Sequence, residues 1–187
     1  SLAGILFYIW VRFGSLRYSI AAIAALCHDV IIVVGFLALS GAIAGQAWAS
    51  GGLMIEEFQI DTGIVAALLT VIGYSLNDTI VIFDRIREDL KLGVRGTFRD
   101  VINKALNQTL ARTVITSGTT LIAVLSLVVF GGGVIHDFAQ TLLIGVVVGT
   151  YSSIYVASAI VLWWHKGERP KMSNPQVAAD EAAVATV

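Results

Sequence analysis

Apolar runs at residues 19–40, 63–83, 113–130 and 141–164 dominate this chain, and each is long enough to cross a bilayer as a helix, which takes about 18 residues or more. They predict an all-α, polytopic transmembrane bundle. Composition agrees: 57% of residues are hydrophobic and 13% charged, roughly half the charged share of a soluble domain. The mean hydropathy is +0.84. A further apolar run fills residues 1–13, over which a helix would rise only about 20 Å, short of a hydrocarbon core of about 30 Å. It is therefore expected to be the end of a span whose beginning lies upstream, and not a cleavable signal, since no basic segment precedes it and no small-residue cleavage site follows. Five spans are therefore expected within a membrane domain of residues 1–166. Residues 167–187, with Pro170, Ser173, Asn174, Pro175 and an alanine-rich acidic end, are expected to be a disordered tail.

The basic residues orient the bundle, since cytoplasmic loops are enriched in Lys and Arg near span ends. Arg12 and Arg17 follow the first run; Arg85, Arg87, Lys91, Arg95, Arg99, Lys104 and Arg112 follow the third; Lys166, Arg169 and Lys171 follow the fifth. These account for all 12 Lys and Arg. The opposite loops carry Glu56, Glu57, Asp61, His136 and Asp137, which places them outside and the C-terminus in the cytoplasm. Within the cytoplasmic segment 84–112, Phe98, Val101, Ile102, Ala105, Leu106 and Thr109 recur at helical spacing. They predict an amphipathic helix on the membrane surface from near Thr97, set off from residues 84–92 by a turn at Gly93 and Gly96.

Ionisable groups at membrane depth cost roughly 2.5 to 3.5 kcal/mol near the centre of a span, so each needs a partner or water. Asp78 stands beside Asn77 and Thr79, with Tyr74 one turn earlier. Two readings of it stand: a carboxylate that loads and releases a proton, and a fixed group hydrogen-bonded to a neighbouring helix. His28 and Asp29 sit near the middle of the second run, where they could relay protons, meet another subunit, or simply pack. Arg112 opens the fourth run, and Thr116, Thr119 and Thr120 continue a polar stripe from it. Its guanidinium does not release a proton, but its fixed charge can hold a carboxylate ionised; snorkelling to the interface is the plainer alternative. In the last run Thr141, Gly145, Gly149, Ser153 and Ala157 recur every four residues, a small-residue ridge for close helix packing.

Several function classes are disfavoured. A net charge of −1 offers nothing for nucleic acid. A single cysteine, Cys27, allows no intramolecular disulfide, and no cluster with metal-ligand spacing is present, so neither a metal nor a cofactor is expected. There is no Walker phosphate loop.

Specific strings add to this reading. Residues 73–88 read GYSLNDTIVIFDRIRE, and CHDVIIVVGFLALSG from Cys27, NQTLARTVITSGTTL from Asn107 and FGGGVIHDFAQTLLIGVVVGTYSSIYVASAIVLWW from Phe130 follow in matching order. Together they resemble the SecF family of the bacterial protein-export machinery, over nearly the whole chain to about Trp164. The related SecD family usually carries valine-aspartate-alanine-asparagine where this chain has Ser75 to Asp78. Gln108 departs from the pattern, standing where glutamate is common, and the loop 42–62 is longer than usual.

The resemblance implies six helices per subunit, of which these five would be the second to sixth, a periplasmic domain between the first two, and a pseudosymmetric assembly with SecD of the resistance-nodulation-division type. It also implies residence in the bacterial inner membrane and protons as the coupling ion, with Asp78 and Arg112 implicated in their conduction. Partners would be SecD, the SecYEG channel, SecA, the insertase YidC, YajC and the translocating polypeptide, in service of proton-driven late steps of export. The rival from another class is a non-conducting scaffold that organises SecD, channel and insertase. An intramembrane hydrolase built on Ser75, Asp29 or Asp78 is disfavoured, since the glycine-flanked serine and aspartate patterns of such proteases are missing, and no enzyme is expected.

Overall fold

The computed structural model describes residues 16–43, 62–94 and 96–166, with positions 4 and 170. Four helices make up the fold: α1 Leu16–Ile43, α2 Thr62–Lys91, α3 Phe98–Phe130 and α4 Gly133–Trp164, with no strand among the described residues. All four are long and apolar enough to cross a membrane. The described residues thus hold four spans where five were expected; the run at 1–13 lies outside them apart from position 4. Most of the loop 42–62 and of the tail 167–187 also lies outside.

Each helix outruns the apolar stretch that announced it. At about 1.5 Å per residue, the 33 residues of α3 reach about 50 Å, well beyond a hydrocarbon core of about 30 Å. The excess is amphipathic. Past Phe83, α2 continues because Ile86 and Leu90 stay fully or nearly buried, while Glu88 and Lys91 point out. It stops at Gly93 and Gly96, whose φ values of +69° and +120° a side chain rarely adopts. Thr97 then caps α3: its hydroxyl accepts from the Asp100 N–H, and the Asp100 carboxylate accepts from the Thr97 N–H at 2.9 Å. The stretch 98–112 is accordingly the first half of α3 rather than a separate element on a membrane surface. Its apolar face, Phe98, Val101, Ile102 and Ala105, is buried in the protein's own core with Ile82, Phe83, Ile86 and Leu90. Thr97→Ala is expected to lower stability by about 1 kcal/mol, the usual worth of an N-cap hydroxyl, read as a lower unfolding temperature in detergent.

Packing is organised around α4, which touches all three other helices. One core cluster lies at the basic end, where Tyr18 meets the Phe83 ring edge-on at 5.5 Å and Phe98 lies 5.2 Å from buried His165. The His165 ring is fixed by its Nδ1, 2.9 Å from the Val161 carbonyl. A second cluster, with Val33, Leu37, Ile64, Ala67, Val71, Val124 and Leu142, fills the opposite end. Between these two apolar clusters lie the buried polar side chains Asp29 and Ser75.

The close approach of α2 and α4 depends on the small-residue ridge. A Cβ on Gly145 would lie 2.1 Å from Val71 Cγ2, and one on Gly149 would lie 3.1 Å from Ser75 Cβ. Thr141, Ser153 and Ala157 are all fully buried. These glycines therefore join two helices of the same subunit, and bulk introduced there acts first on the subunit itself.

Candidate functional site

Two buried carboxylates occupy the middle of the bundle in opposite states of satisfaction. Asp29 on α1 is 1% exposed. Its Oδ2 accepts the Ser75 hydroxyl of α2 at 2.5 Å, and its Oδ1 lies 3.1 Å from Nδ1 of half-buried His28. Asp78 on α2 is 5% exposed, yet its Oδ2 has no hydrogen-bond partner among the described residues. Leaving such an oxygen buried without a donor is costly, more so when the group is ionised. The arrangement calls for a proton or a water at that oxygen; of these two carboxylates Asp78 has the open position and Asp29 is filled, while buried Asp89, nearer the basic end, also has an Oδ2 unpartnered among the described residues.

Around Asp78 the neighbouring polar groups divide by side. Tyr74, one turn earlier on α2, donates its phenol to Ser117 of α3 at 3.0 Å, and Thr150 of α4 donates to the same oxygen at 2.8 Å. This hydroxyl cluster joins three helices. Thr79 is buried and spends its hydroxyl on the Ser75 carbonyl at 3.0 Å. Asn77, adjacent in sequence, is exposed, because consecutive residues on a helix point about 100° apart.

On the other side of Asp78, towards the basic end, a cleft of about 450 Å³ opens between α2 and α3, lined by Val81, Asp84, Arg85, Glu88, Gln108, Thr109 and Arg112. Val81 is one turn beyond Asp78 on the same face of α2. Arg85 crosses the cleft, its Nε donating to Gln108 at 2.6 Å and its Nη1 to Glu88 at 2.7 Å. It also lies 3.6 Å from the buried Asp89 carboxylate. Arg112 is exposed at the cleft wall and makes no ion pair with Asp78 within 4 Å among the described residues.

The structure thus brings Asp78, Tyr74 and Thr79 close to one polar level of the bundle and sets Arg112 at a distance from it. Thr116 is exposed and turns its hydroxyl back onto the Arg112 and Thr113 carbonyls, both at 3.0 Å, as Thr119 and Thr120 do onto their own preceding turns. Ser153 likewise bonds the Thr150 carbonyl at 3.0 Å. Sequence reasoning missed Ser117, Thr150 and the cleft residues Asp84, Arg85, Glu88 and Gln108. For the first two no sequence signal exists, since single hydroxyls in an apolar run are common. For Arg85, its spacing of three and four from Glu88 and Asp89 is a signal for an ion-pair cluster.

A family model described as "Protein export membrane protein SecD/SecF, C-terminal" matches residues 1–167. "Protein translocase subunit SecF" of Desulfurispirillum indicum is 45% identical over 180 residues, covering 95% of this chain and 51% of the relative. The protein of the same description from Koribacter versatilis is 48% identical over 177 residues, covering 94% of this chain and 40% of the relative. The chain therefore spans about half or less of these relatives' lengths. A crystal structure of SecDF from Thermus thermophilus, described as a translocon-associated membrane protein, superposes with a TM-score of 0.72 at 44% identity, covering 88% of this chain and 21% of that one.

Proposed function

The chain belongs to the protein-export membrane protein SecD/SecF C-terminal family, and on that footing we propose that it is the membrane part of a SecF subunit that works with SecD to couple proton flow to protein export. The proposed setting is the bacterial inner membrane with the basic ends of the helices, and the C-terminus, in the cytoplasm. That orientation follows from the Lys and Arg asymmetry. SecD covers the polar surface exposed at membrane depth, Asn77, Arg112 and Thr116. The wider partners are the SecYEG channel, SecA, YidC and YajC, and the cargo is a translocating polypeptide.

One observation carries the proton reading: Asp78 is buried with an unpartnered Oδ2, on a helix whose preceding turn carries Tyr74 of the hydroxyl cluster and whose next turn, at Val81, lines an open polar cleft. A proton arriving from outside neutralises the carboxyl, and release into the cleft restores the charge. The fixed charge of Arg112, at the cleft wall, favours the ionised state and so promotes release, while the proton gradient sets the direction. Each charge crossing 100 mV releases about 2.3 kcal/mol, enough for a few protons to bias a conformational cycle with a gap of a few kcal/mol.

The test uses the full-length protein with SecD in proteoliposomes under an imposed proton gradient. Arg112→Ala is expected to lower proton flux about tenfold or more, with Arg112→Lys intermediate because it keeps the charge but not the planar fork. Wild-type flux in Arg112→Ala contradicts the proposed role for this residue.

A further inference from the structure

Asp29 has donors on both oxygens, whereas Asp78, on the helix that Asp29 grips, lacks one. That difference separates the two acids by task. A carboxylate at membrane depth that is held by contacts on both of its oxygens is fixed in one place. Ser75, its partner, stands one turn before Asp78 on α2 and packs closely on Gly149 of α4, where an added Cβ would lie 3.1 Å from the Ser75 Cβ. The Ser75 carbonyl in turn receives the Thr79 hydroxyl. Rotation of α2 about its axis would turn Ser75 away from Asp29 and change the direction in which Asp78 faces, together.

We infer that Asp29 is a positioning residue for Asp78: through the Ser75 hydroxyl it fixes the rotation of α2 and so the direction in which the Asp78 carboxyl, one turn on, faces. The role needs an acceptor at Asp29, not a transferable proton there. His28 keeps the second oxygen occupied, with its own side chain 34% exposed on the outer face of α1. The inference rests on the proton-coupled reading of Asp78, and its test separates the two.

Full-length variants reconstituted with SecD are compared for proton flux and for recovery of the assembled complex. Asp29→Ala and Ser75→Ala are each expected to lower flux about tenfold, the range of a hydrogen bond to a charged group, and the double variant should fall no further than either single one. Asp29→Asn should recover a clear part of the loss, because its amide oxygen still accepts the Ser75 hydroxyl, and Ser75→Thr should do the same relative to Ser75→Ala. If Asp29→Ala does not assemble, the Ser75 pair decides.

Flux in Asp29→Asn no higher than in Asp29→Ala overturns the inference, since the charge or proton rather than the contact is then what matters. Losses that multiply in the double variant overturn it too, as does wild-type flux in Ser75→Ala. Inactive Asp78→Asn alongside active Asp29 and Ser75 variants removes this inference alone, whereas active Asp78→Asn removes the proton reading beneath it.

Discussion

Asp78→Asn in the full-length protein, reconstituted with SecD, will lower proton-driven flux and export by about a hundredfold or more, the scale expected when a proton-transferring group is removed. Assembly with SecD will be retained. Asparagine has nearly the same shape, so the packing of α2 against α3 and α4 has no reason to change. What is lost is the ability to exchange a proton at an oxygen that has no other donor within the described bundle. The amide's carbonyl and NH2 groups can each take up one hydrogen-bonding role, but neither titrates. A scaffold role predicts the opposite: a neutral, isosteric change at one buried position would leave export at its normal rate.

Gly145 supplies the other large effect, this time on stability. A methyl group there would fall 2.1 Å and 2.8 Å from the two methyls of Val71, which is itself 1% exposed and stiff at χ1. Gly145→Ala is expected to cost about 1–3 kcal/mol through forced displacement of α2 from α4, and Gly145→Leu to prevent recovery of a folded subunit. Thermal unfolding in detergent measures the first, and Val71→Ala in the same chain should return part of the loss by vacating the space. Gly149→Ala, with 3.1 Å to the Ser75 Cβ, should cost less. An unfolding temperature for Gly145→Ala equal to that of the unaltered protein contradicts the packing described here.

The sequence revealed the spans more readily than the helices. Residues 63–83 and 113–130 are where hydropathy is high, but hydropathy measures depth in lipid rather than continuity of backbone hydrogen bonding. Beyond Phe83 and before Thr113 the helices continue on one buried stripe each, Ile86 and Leu90 against Phe98, Val101 and Ile102. That stripe was legible at 98–109 as amphipathic spacing; its partner was not, because protein and membrane surface attract the same apolar face. Asp78 stood out for similar reasons, as a charge where charges are costly. The Asp29–Ser75 contact did not, since it depends on the relative register of two helices separated by 46 positions, and no local pattern encodes that register. Arg112 was tied to Asp78 only by resemblance, and the structure sets it at the cleft wall rather than in contact.

The most direct measurement is infrared difference spectroscopy of the reconstituted complex during turnover, with the protonated carboxyl band assigned by its loss in Asp78→Asn. Proton-coupled work predicts that this band rises and falls with the imposed gradient. An Asp78 carboxyl that keeps one protonation state throughout turnover contradicts it.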